Sequence, residues 1–130
     1  MEVVLDTHAW LWHWATTRGL TAAAEKAMAR AGALIVPAIS CWEVAMLVLE
    51  RRVELDLPID EWFERALAEP RYELCPITPD IAIDSASYGR SRLHGDPCDR
   101  LIVATARMLK CPLISGDSRL HDSGLVQCIW

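Results

Sequence analysis

Residues 96–117 read DPCDRLIVATARMLKCPLISGD, and this stretch decides the fold class. Aspartate followed by proline is a common helix start, because aspartate caps the first turn and proline suits its first position. The helix predicted here runs to Leu109, and a short apolar strand follows at residues 113–115. A helix that leads into a short, continuously apolar strand is typical of parallel sheets covered by helices.

The same alternation of apolar strands and helices extends outward to both ends of the chain. Further strands are predicted at residues 3–5, 33–36, 72–77 and 126–129. Further helices are predicted at residues 7–15, 22–31, 40–51, 59–68 and 79–88. We therefore expect an α/β fold in which a mainly parallel sheet of about five strands has helices on both faces. The length of 130 residues predicts a single domain over residues 1–130.

Composition limits the classes of protein to consider. Hydrophobic residues make up 52% of the chain and charged residues 24%, as in ordinary globular proteins. No apolar run is long enough for a membrane span, and residues 1–6 lack the pattern of a signal peptide. We therefore expect a cytoplasmic protein that does not enter a membrane. The 5 cysteines lack the paired spacing of a disulfide framework or a zinc knuckle.

The charge of the chain is unevenly distributed. The formal net charge is −5, yet residues 86–120 contain more arginine and lysine than aspartate. A basic region beside acidic residues could bind a polyanion such as RNA. Scattered, solvated arginines are the alternative, and charge alone favours that alternative.

Five carboxylates occupy equivalent positions in the predicted fold. Asp6 ends the first strand, and Asp117 follows the fourth. Glu43 lies in the first turn of the helix after the second strand, while Asp96 and Asp99 open the helix quoted above. In a parallel sheet, the carboxyl ends of strands and the starts of the following helices share one edge, where ligands bind. We therefore expect these acids to converge.

Each acid also has a structural explanation. Ser40 and Glu43 match a capping box, in which the glutamate bonds back to the start of its helix. Asp96 is a suitable N-cap, Asp99 would then face the helix dipole, and the other two aspartates can cap the segments that follow them. Capping alone gives no reason for the acids to gather at one edge, so both explanations stay open.

Convergence would require cations. Two like charges about 4 Å apart repel by about 4 kcal/mol at an effective dielectric constant of about 20. A cluster of carboxylates therefore needs bound cations or raised pKa values. Oxygen ligands suit Mg²⁺ and Mn²⁺, and metal ions held by carboxylates are a recurring means of phosphodiester hydrolysis. The acids therefore predict a Mg²⁺ or Mn²⁺ site for hydrolytic chemistry on a phosphodiester.

Four segments together resemble the successive motifs of PIN-domain proteins, among them the VapC-type toxins of toxin–antitoxin operons. They are Leu5-Asp6-Thr7-His8, Ser40-Cys41-Trp42-Glu43, Asp96-Pro97-Cys98-Asp99-Arg100-Leu101-Ile102-Val103-Ala104 and Ser115-Gly116-Asp117. The likeness covers essentially the whole chain. It implies a single Rossmann-like domain with three α/β/α layers. It also implies Mg²⁺- or Mn²⁺-dependent endoribonuclease activity and inhibition by a cognate antitoxin protein.

The resemblance also assigns roles by position. It gives catalytic and metal-binding roles to Asp6, Glu43, Asp99 and Asp117. Asp96 would be an additional acid at the metal, and Thr7 and Ser115 would support the first and last acids through hydrogen bonds. Arg100 is expected to contact an RNA phosphate or to pair with an acid of its own helix. Cys98 departs from the family pattern, because related sequences usually have an aromatic residue there.

Several apolar segments suggest contacts with other proteins. The helix over residues 41–49 is apolar on nearly every face, as expected of a helix that is buried or lies at an interface. Three tryptophans follow the first strand, and we expect core or protein contacts for Trp10, Trp12 and Trp14. Stacking on RNA bases is their alternative role. A homodimer and an antitoxin complex are both expected from these surfaces. Two histidines near the acids are expected to be solvated or core residues and not metal ligands: His8 and His94.

Two other classes of function remain open. One is a phosphoryl-transfer domain, such as a receiver domain or a haloacid-dehalogenase-type phosphatase. The phosphatase needs Asp-x-Asp after the first strand, where this chain has Asp6-Thr7-His8. The other class is a catalytically inactive PIN-like domain that binds RNA or protein and keeps its acids only as helix caps.

Overall fold

The centre of the molecule is a parallel β-sheet, seen in a computed structural model that describes residues 1–15 and 19–130. Its strands are β1 (Glu2–Leu5), β2 (Ala33–Pro37), β3 (Tyr72–Cys75), β4 (Leu113–Ile114) and β5 (Cys128–Ile129). They lie in the order β3-β2-β1-β4-β5, and every neighbouring pair is parallel. The order reverses beside β1, so the first strand lies at the middle of the sheet.

Helices connect the strands. They are α1 (Thr7–Trp14), α2 (Ala22–Arg30), α3 (Ala38–Leu49), α4 (Ile59–Ala66), α5 (Pro79–Ala86), α6 (Pro97–Leu109) and α7 (Ser118–Asp122). Thr21 and Thr78 cap α2 and α5, each accepting a hydrogen bond from the backbone N–H three residues later. Within the described residues, none of these helices is long and apolar enough to cross a bilayer.

The alternation of side chains along the strands produces a three-layer α/β/α arrangement. On β1, Val3 and Leu5 face one core and Val4 faces the other, and all three side chains are fully buried. The first core is completed by α1, α2, α3 and α4, which contribute residues such as Trp10. The second is completed by α5, α6 and α7. The predicted fold class is therefore confirmed.

Some boundaries differ from the prediction. The structure begins α3 at Ala38, directly after β2, with Pro37 as the N-cap residue. The prediction placed this start at Ser40. The strand β3 and the helix α5 end two residues before their predicted limits. The helix α7 was not predicted, because five residues are too few to show a helical pattern of apolar side chains.

Candidate metal centre

Separate segments of the chain bring their carboxylates to the carboxyl edge of the sheet. Asp6 follows β1 and Asp117 follows β4, and these two strands are parallel neighbours. Asp99 lies in the first turn of α6, and Glu43 lies in the second turn of α3. One cavity of about 610 Å³ is lined by all five acids predicted to converge, which are Asp6, Glu43, Asp96, Asp99 and Asp117.

Three of these acids are also helix caps. Each accepts a hydrogen bond of 2.9 Å from a backbone N–H further along the chain: Asp6 from Ala9, Asp96 from Cys98 and Asp117 from Arg119. A carboxylate has two oxygens with about four acceptor positions, so one capping bond leaves room for a cation. These three residues therefore cap helices and also converge in the cavity.

Glu43 does not belong to a capping box. Because α3 begins at Ala38, Ser40 is the third residue of the helix and not its cap. The Glu43 carboxylate accepts a hydrogen bond from the Thr7 hydroxyl, and Thr7 Oγ1 lies 3.0 Å from Ser40 Oγ. Thr7 was expected to support Asp6, and the structure places its hydroxyl on Glu43 instead. The pairing links α1 to α3 and orients Glu43 within the cavity.

Ser115 supports acids from both neighbouring strands. This residue is fully buried after β4, and its Oγ accepts a hydrogen bond of 3.1 Å from the backbone N–H of Asp117. Burial raises the pKa of the Asp6 carboxyl, and interaction with the Ser115 side chain offsets part of that rise. The hydroxyl thus contacts the segments that hold the first and the last acid.

The electrostatics are those of crowded carboxylates. Burial, reinforced by the negative charges of Asp96, Asp117 and Glu43, raises the pKa of Asp99 to about 7. Burial also raises the pKa of Asp6, whose side chain is largely withdrawn from solvent. These shifts are expected where carboxylates share a site without a cation to neutralise them.

His94 faces this cluster; the sequence placed it near the acids, but as a solvated or core residue and not as a ligand. Its Nε2 lies 3.0 Å from Asp99 Oδ2, while its Nδ1 accepts a hydrogen bond of 3.3 Å from the Asp96 backbone N–H. An accepting Nδ1 places the ring proton on Nε2, toward the carboxylate. The contact is not aligned as a hydrogen bond, and among the described residues Nε2 has no hydrogen-bond partner. The position of His94, two residues before Asp96, was the sequence signal that could have placed it at the cluster.

Arg119 is the second residue that sequence reasoning missed. Its Nη2 lies 2.8 Å from Asp117 Oδ2 and 3.7 Å from Asp99 Oδ2. The hydrogen bonds from Arg119 lower the pKa of Asp117, in contrast to the raised pKa of Asp99. The guanidinium therefore supplies part of the positive charge that the cluster requires. Its side chain is 61% exposed, so it is free to move away.

The ligand atoms available at this edge are suitable for a divalent cation. One ligand atom from each of His94, Asp99 and Asp117 lies within 4.8 Å of the other two, and His94 could bind through Nε2 only with its ring proton moved to Nδ1. Asp6 and Glu43 add carboxylate oxygens to the same cavity. A set dominated by carboxylate oxygens matches the preference of Mg²⁺ and Mn²⁺.

Within the described residues, Arg100 does not pair with an acid of its own helix. Its guanidinium donates hydrogen bonds to backbone carbonyls of the segment that precedes α6, at Ser85, Tyr88, Leu93 and His94. The donor–acceptor distances of these hydrogen bonds lie between 2.9 and 3.1 Å. Arg100 is absent from the residues that line the acidic cavity within the described chain. It holds in place the segment that carries His94.

This role predicts a stability defect for Arg100→Ala. The substitution should lower the free energy of unfolding by about 3 kcal/mol, because it leaves carbonyl acceptors without their charged donor. Urea unfolding followed by circular dichroism measures the change. Arg90→Ala is a suitable control, since that arginine is exposed in the same region. Equal stability of the two variants would contradict the assigned role.

Comparisons with known proteins agree with the observed fold. Residues 3–124 match the family model described as PIN domain. Ribonuclease VapC22 of Mycobacterium tuberculosis is 38% identical over 120 residues, which are 92% of this chain and 90% of that protein. The family match therefore includes every segment that supplies an acid to the cavity.

Solved structures also share the fold. A toxin–antitoxin complex from Klebsiella pneumoniae has a TM-score of 0.63 at 19% identity, covering 89% of this chain and 87% of that one. VapBC2 from Rickettsia felis, bound to a DNA fragment from its promoter, has a TM-score of 0.66 at 12% identity, covering 98% and 97%. FitAcB from Neisseria gonorrhoeae has a TM-score of 0.62 at 18% identity, covering 97% and 95%. At these identities the likeness concerns the fold.

Proposed function

The chain belongs to the PIN-domain family, and from this premise we propose that it is a metal-dependent endoribonuclease, the toxin of a toxin–antitoxin pair. The observation that carries the proposal is the convergence of acids from separate segments in one cavity. The similarity to a ribonuclease over most of both chains supports RNA as the substrate.

The acids are proposed to hold Mg²⁺ or Mn²⁺. Asp6, Asp99 and Asp117 would bind the cation, Glu43 would complete the set, and Asp96 is an additional ligand at the rim of the cavity. Such an ion would lower the pKa of the attacking water and would stabilise the leaving oxygen of the phosphodiester.

The chain's own residues prepare these ligands. The backbone N–H of Ala9 holds one oxygen of Asp6, and the Thr7 hydroxyl orients Glu43. Near neutral pH without metal, the raised pKa leaves Asp99 partly protonated. Cation binding then requires release of that proton, since metals bind the ionised carboxylate.

Arginines beside the acids suit the phosphates of RNA. Arg52 and Arg119 line the same cavity, and both side chains are more than half exposed. A guanidinium binds phosphate oxygens through paired N–H donors. The basic region predicted from sequence thus contributes Arg119 to the cavity, while Arg100 is engaged elsewhere.

We expect Arg119→Gln to bind Mn²⁺ about two- to fivefold more tightly than the wild type, because exposed ion pairs contribute a few tenths to 1 kcal/mol. The cation would no longer compete with the guanidinium at Asp117 and Asp99. Isothermal titration calorimetry with MnCl₂ measures this. Arg52→Gln is the matched control, since Arg52 lines the cavity but pairs with Glu50 at 3.8 Å. Weaker Mn²⁺ binding by Arg119→Gln would show that Arg119 orients the ligands and does not compete with the cation.

An antitoxin partner, a homodimer and a cytoplasmic location also belong to this proposal. Solved neighbours include toxin–antitoxin complexes, which supports an antitoxin partner here. Exposed apolar side chains lie on α3, at Trp42 and Leu49, and on α5, at Ile83. Such surfaces are typical of protein contacts. Light scattering of the purified protein tests self-association, and a small protein encoded beside it should co-purify; a strict monomer without such a partner would contradict this part.

The ribonuclease proposal itself is tested with purified protein and a labelled single-stranded RNA. Cleavage should require Mg²⁺ or Mn²⁺ and should stop in EDTA. A preparation that leaves RNA intact at millimolar Mn²⁺, while folded and free of any bound partner, would contradict the proposal. Persistent cleavage in EDTA would contradict its metal dependence.

A further inference from the structure

Two tryptophans form one wall of the acidic cavity, which we call the aromatic wall. Trp12 comes from α1, and Trp130 follows β5. Their ring centroids lie 5.6 Å apart with the planes inclined at 48°. Both residues line the cavity that contains the acids. The two indoles thus stand beside the metal ligands and form one continuous surface.

Each tryptophan of the aromatic wall packs closely against a glycine. A Cβ at Gly116 would lie only 2.6 Å from the Trp130 ring, so any larger residue there would displace the indole. Gly116 immediately precedes Asp117, so the ring packs against the backbone that presents an acid to the cavity. Trp12 likewise packs closely over Gly19. The positions of the rings are therefore tied to the chain that builds the site.

Trp12 differs from the other tryptophans of its helix. Trp10 is fully buried in the core against Trp62, and Trp14 packs against Tyr72. Trp12 keeps 37% of its surface exposed and is among the residues that line the cavity. Packing of the core does not account for an exposed indole beside metal ligands.

The lining of the cavity combines three chemistries. Carboxylates occupy the carboxyl edge of the sheet, Arg52 and Arg119 provide cationic side chains, and the aromatic wall provides exposed π surface. A nucleotide of RNA has a matching set, because its phosphate suits the metal and the arginines while its base suits an aromatic face.

We propose that the aromatic wall stacks a nucleobase next to the scissile phosphate of single-stranded RNA. This inference rests on the proposed ribonuclease function and adds a base-binding surface beside its metal ligands. Base faces in a duplex are already stacked on their neighbours, so the wall is available only to an unpaired nucleotide. The enzyme should therefore bind unpaired RNA in preference to a duplex of the same sequence.

Binding measurements on a set of matched variants test this inference. All proteins carry Asp6→Asn so that the RNA stays intact, and anisotropy of a fluorescent single-stranded oligoribonucleotide reports affinity at millimolar Mn²⁺. Trp12→Ala should weaken RNA binding by about 5- to 100-fold, as expected for loss of one base stack. Trp12→Phe should stay within about threefold of the parent, because phenylalanine keeps a stacking face. Trp42→Ala, which removes an exposed tryptophan outside the cavity lining, should bind as the parent does.

Binding of inorganic polyphosphate distinguishes the contribution of base stacking to RNA affinity from that of phosphate charge. It has phosphates but no bases, so Trp12→Ala should leave its binding unchanged. Trp130→Ala should reproduce the loss of RNA affinity from the other side of the wall. Thermal melting verifies that each variant is folded, and Trp12→Phe with Trp130→Ala provides the test should Trp12→Ala fail to fold.

Several results would overturn the inference. They are unchanged RNA affinity in the folded wall variants, an equal loss for polyphosphate, or an equal loss in Trp42→Ala. A defect confined to binding of a co-purified protein would assign the wall to that partner. Cleavage of RNA by the wild-type protein is measured separately. Cleavage combined with unaffected wall variants leaves the ribonuclease function in place and removes the stacking role, whereas absence of both cleavage and RNA binding rejects both.

Discussion

The Asp6→Asn protein should cleave RNA at no more than about one hundredth of the wild-type rate while keeping its fold. Loss of residues that only support metal ligands already costs about 10- to 100-fold, and Asp6 is proposed as a ligand itself. Asparagine keeps a side-chain oxygen that can accept the hydrogen bond from the Ala9 N–H, so the helix cap is retained. The substitution therefore removes the charge and leaves the local structure.

The same loss is expected for Glu43→Gln, Asp99→Asn and Asp117→Asn. Asp96→Asn should have a smaller effect, because Asp96 lies at the exposed rim and an asparagine still caps α6. Initial rates on a labelled RNA at saturating Mn²⁺ measure these effects, and far-UV circular dichroism verifies the fold. Asp80→Asn is the matched control, since Asp80 is an exposed acid in the first turn of α5. Full activity of both Asp6→Asn and Asp99→Asn would reject the assigned site.

The metal-free protein should lose stability as the pH rises from about 4 to 7. The pKa of Asp99 is about 7 in the folded protein against 3.8 for the unperturbed side chain. Within this window the folded state retains a proton that the unfolded state has released, so raising the pH favours unfolding. A shift of this size corresponds to a free energy on the order of 4 kcal/mol. Asp6, whose pKa is also raised, acts in the same direction.

Asp117 has the opposite effect on the pH dependence of stability, and its effect lies below the interval from pH 4 to 7. Its pKa is lowered by Arg119, so the stability it contributes is lost only when the pH falls below the unperturbed value of 3.8. His13 opposes the raised acids between pH 4 and 7, because burial lowers its pKa below the unperturbed 6.5 and raising the pH then favours folding. The part of the profile that Asp99→Asn removes is therefore the part due to Asp99. Urea unfolding in EDTA at a series of pH values gives the profile.

The Asp99→Asn substitution distinguishes a crowded metal site from a simple helix cap. Removing one charge from the crowded site should raise the stability of the metal-free protein at pH 7 and flatten its pH profile. If Asp99 only faced the dipole of α6, the same change would destabilise the protein by about 0.3–1 kcal/mol. Millimolar Mn²⁺ should raise the melting temperature of the wild type, because it binds the folded state, and the variant should lose most of that gain. A wild-type melting temperature that ignores Mn²⁺, together with a destabilised Asp99→Asn, would reject the metal site.

Much of the architecture could be predicted from the sequence because its signals are local. Short apolar runs followed by caps such as Asp96 with Pro97 predict strands and helix starts without reference to the rest of the chain. The convergence of the acids then follows from the geometry of any parallel sheet. The predicted start of α3 was wrong because the spacing of Ser40 and Glu43 matches a capping box. In the structure Pro37 ends β2 and is the N-cap residue of α3.

The contacts within the site were less predictable, since they depend on distant side chains. Thr7 bonds to Glu43, 36 residues away, and Arg100 reaches as far back as Ser85. Neither partner is implied by local spacing. The position of Trp12 was within reach of sequence reasoning, because residues four apart share a helix face. That rule groups Trp10 with Trp14 and turns Trp12 to the other side.

The strand order has a consequence for the synthesis of the protein. The strands β1, β2 and β3 are consecutive along the chain and adjacent in the sheet, so they can pair as soon as they leave the ribosome. The strand β4 must wait until α6 has been translated, and only then does Asp117 arrive beside Asp6. A nascent or prematurely terminated chain that lacks Asp117 therefore has an incomplete cavity. For a protein proposed to cleave RNA, a chain cut short before Asp117 should therefore be inactive.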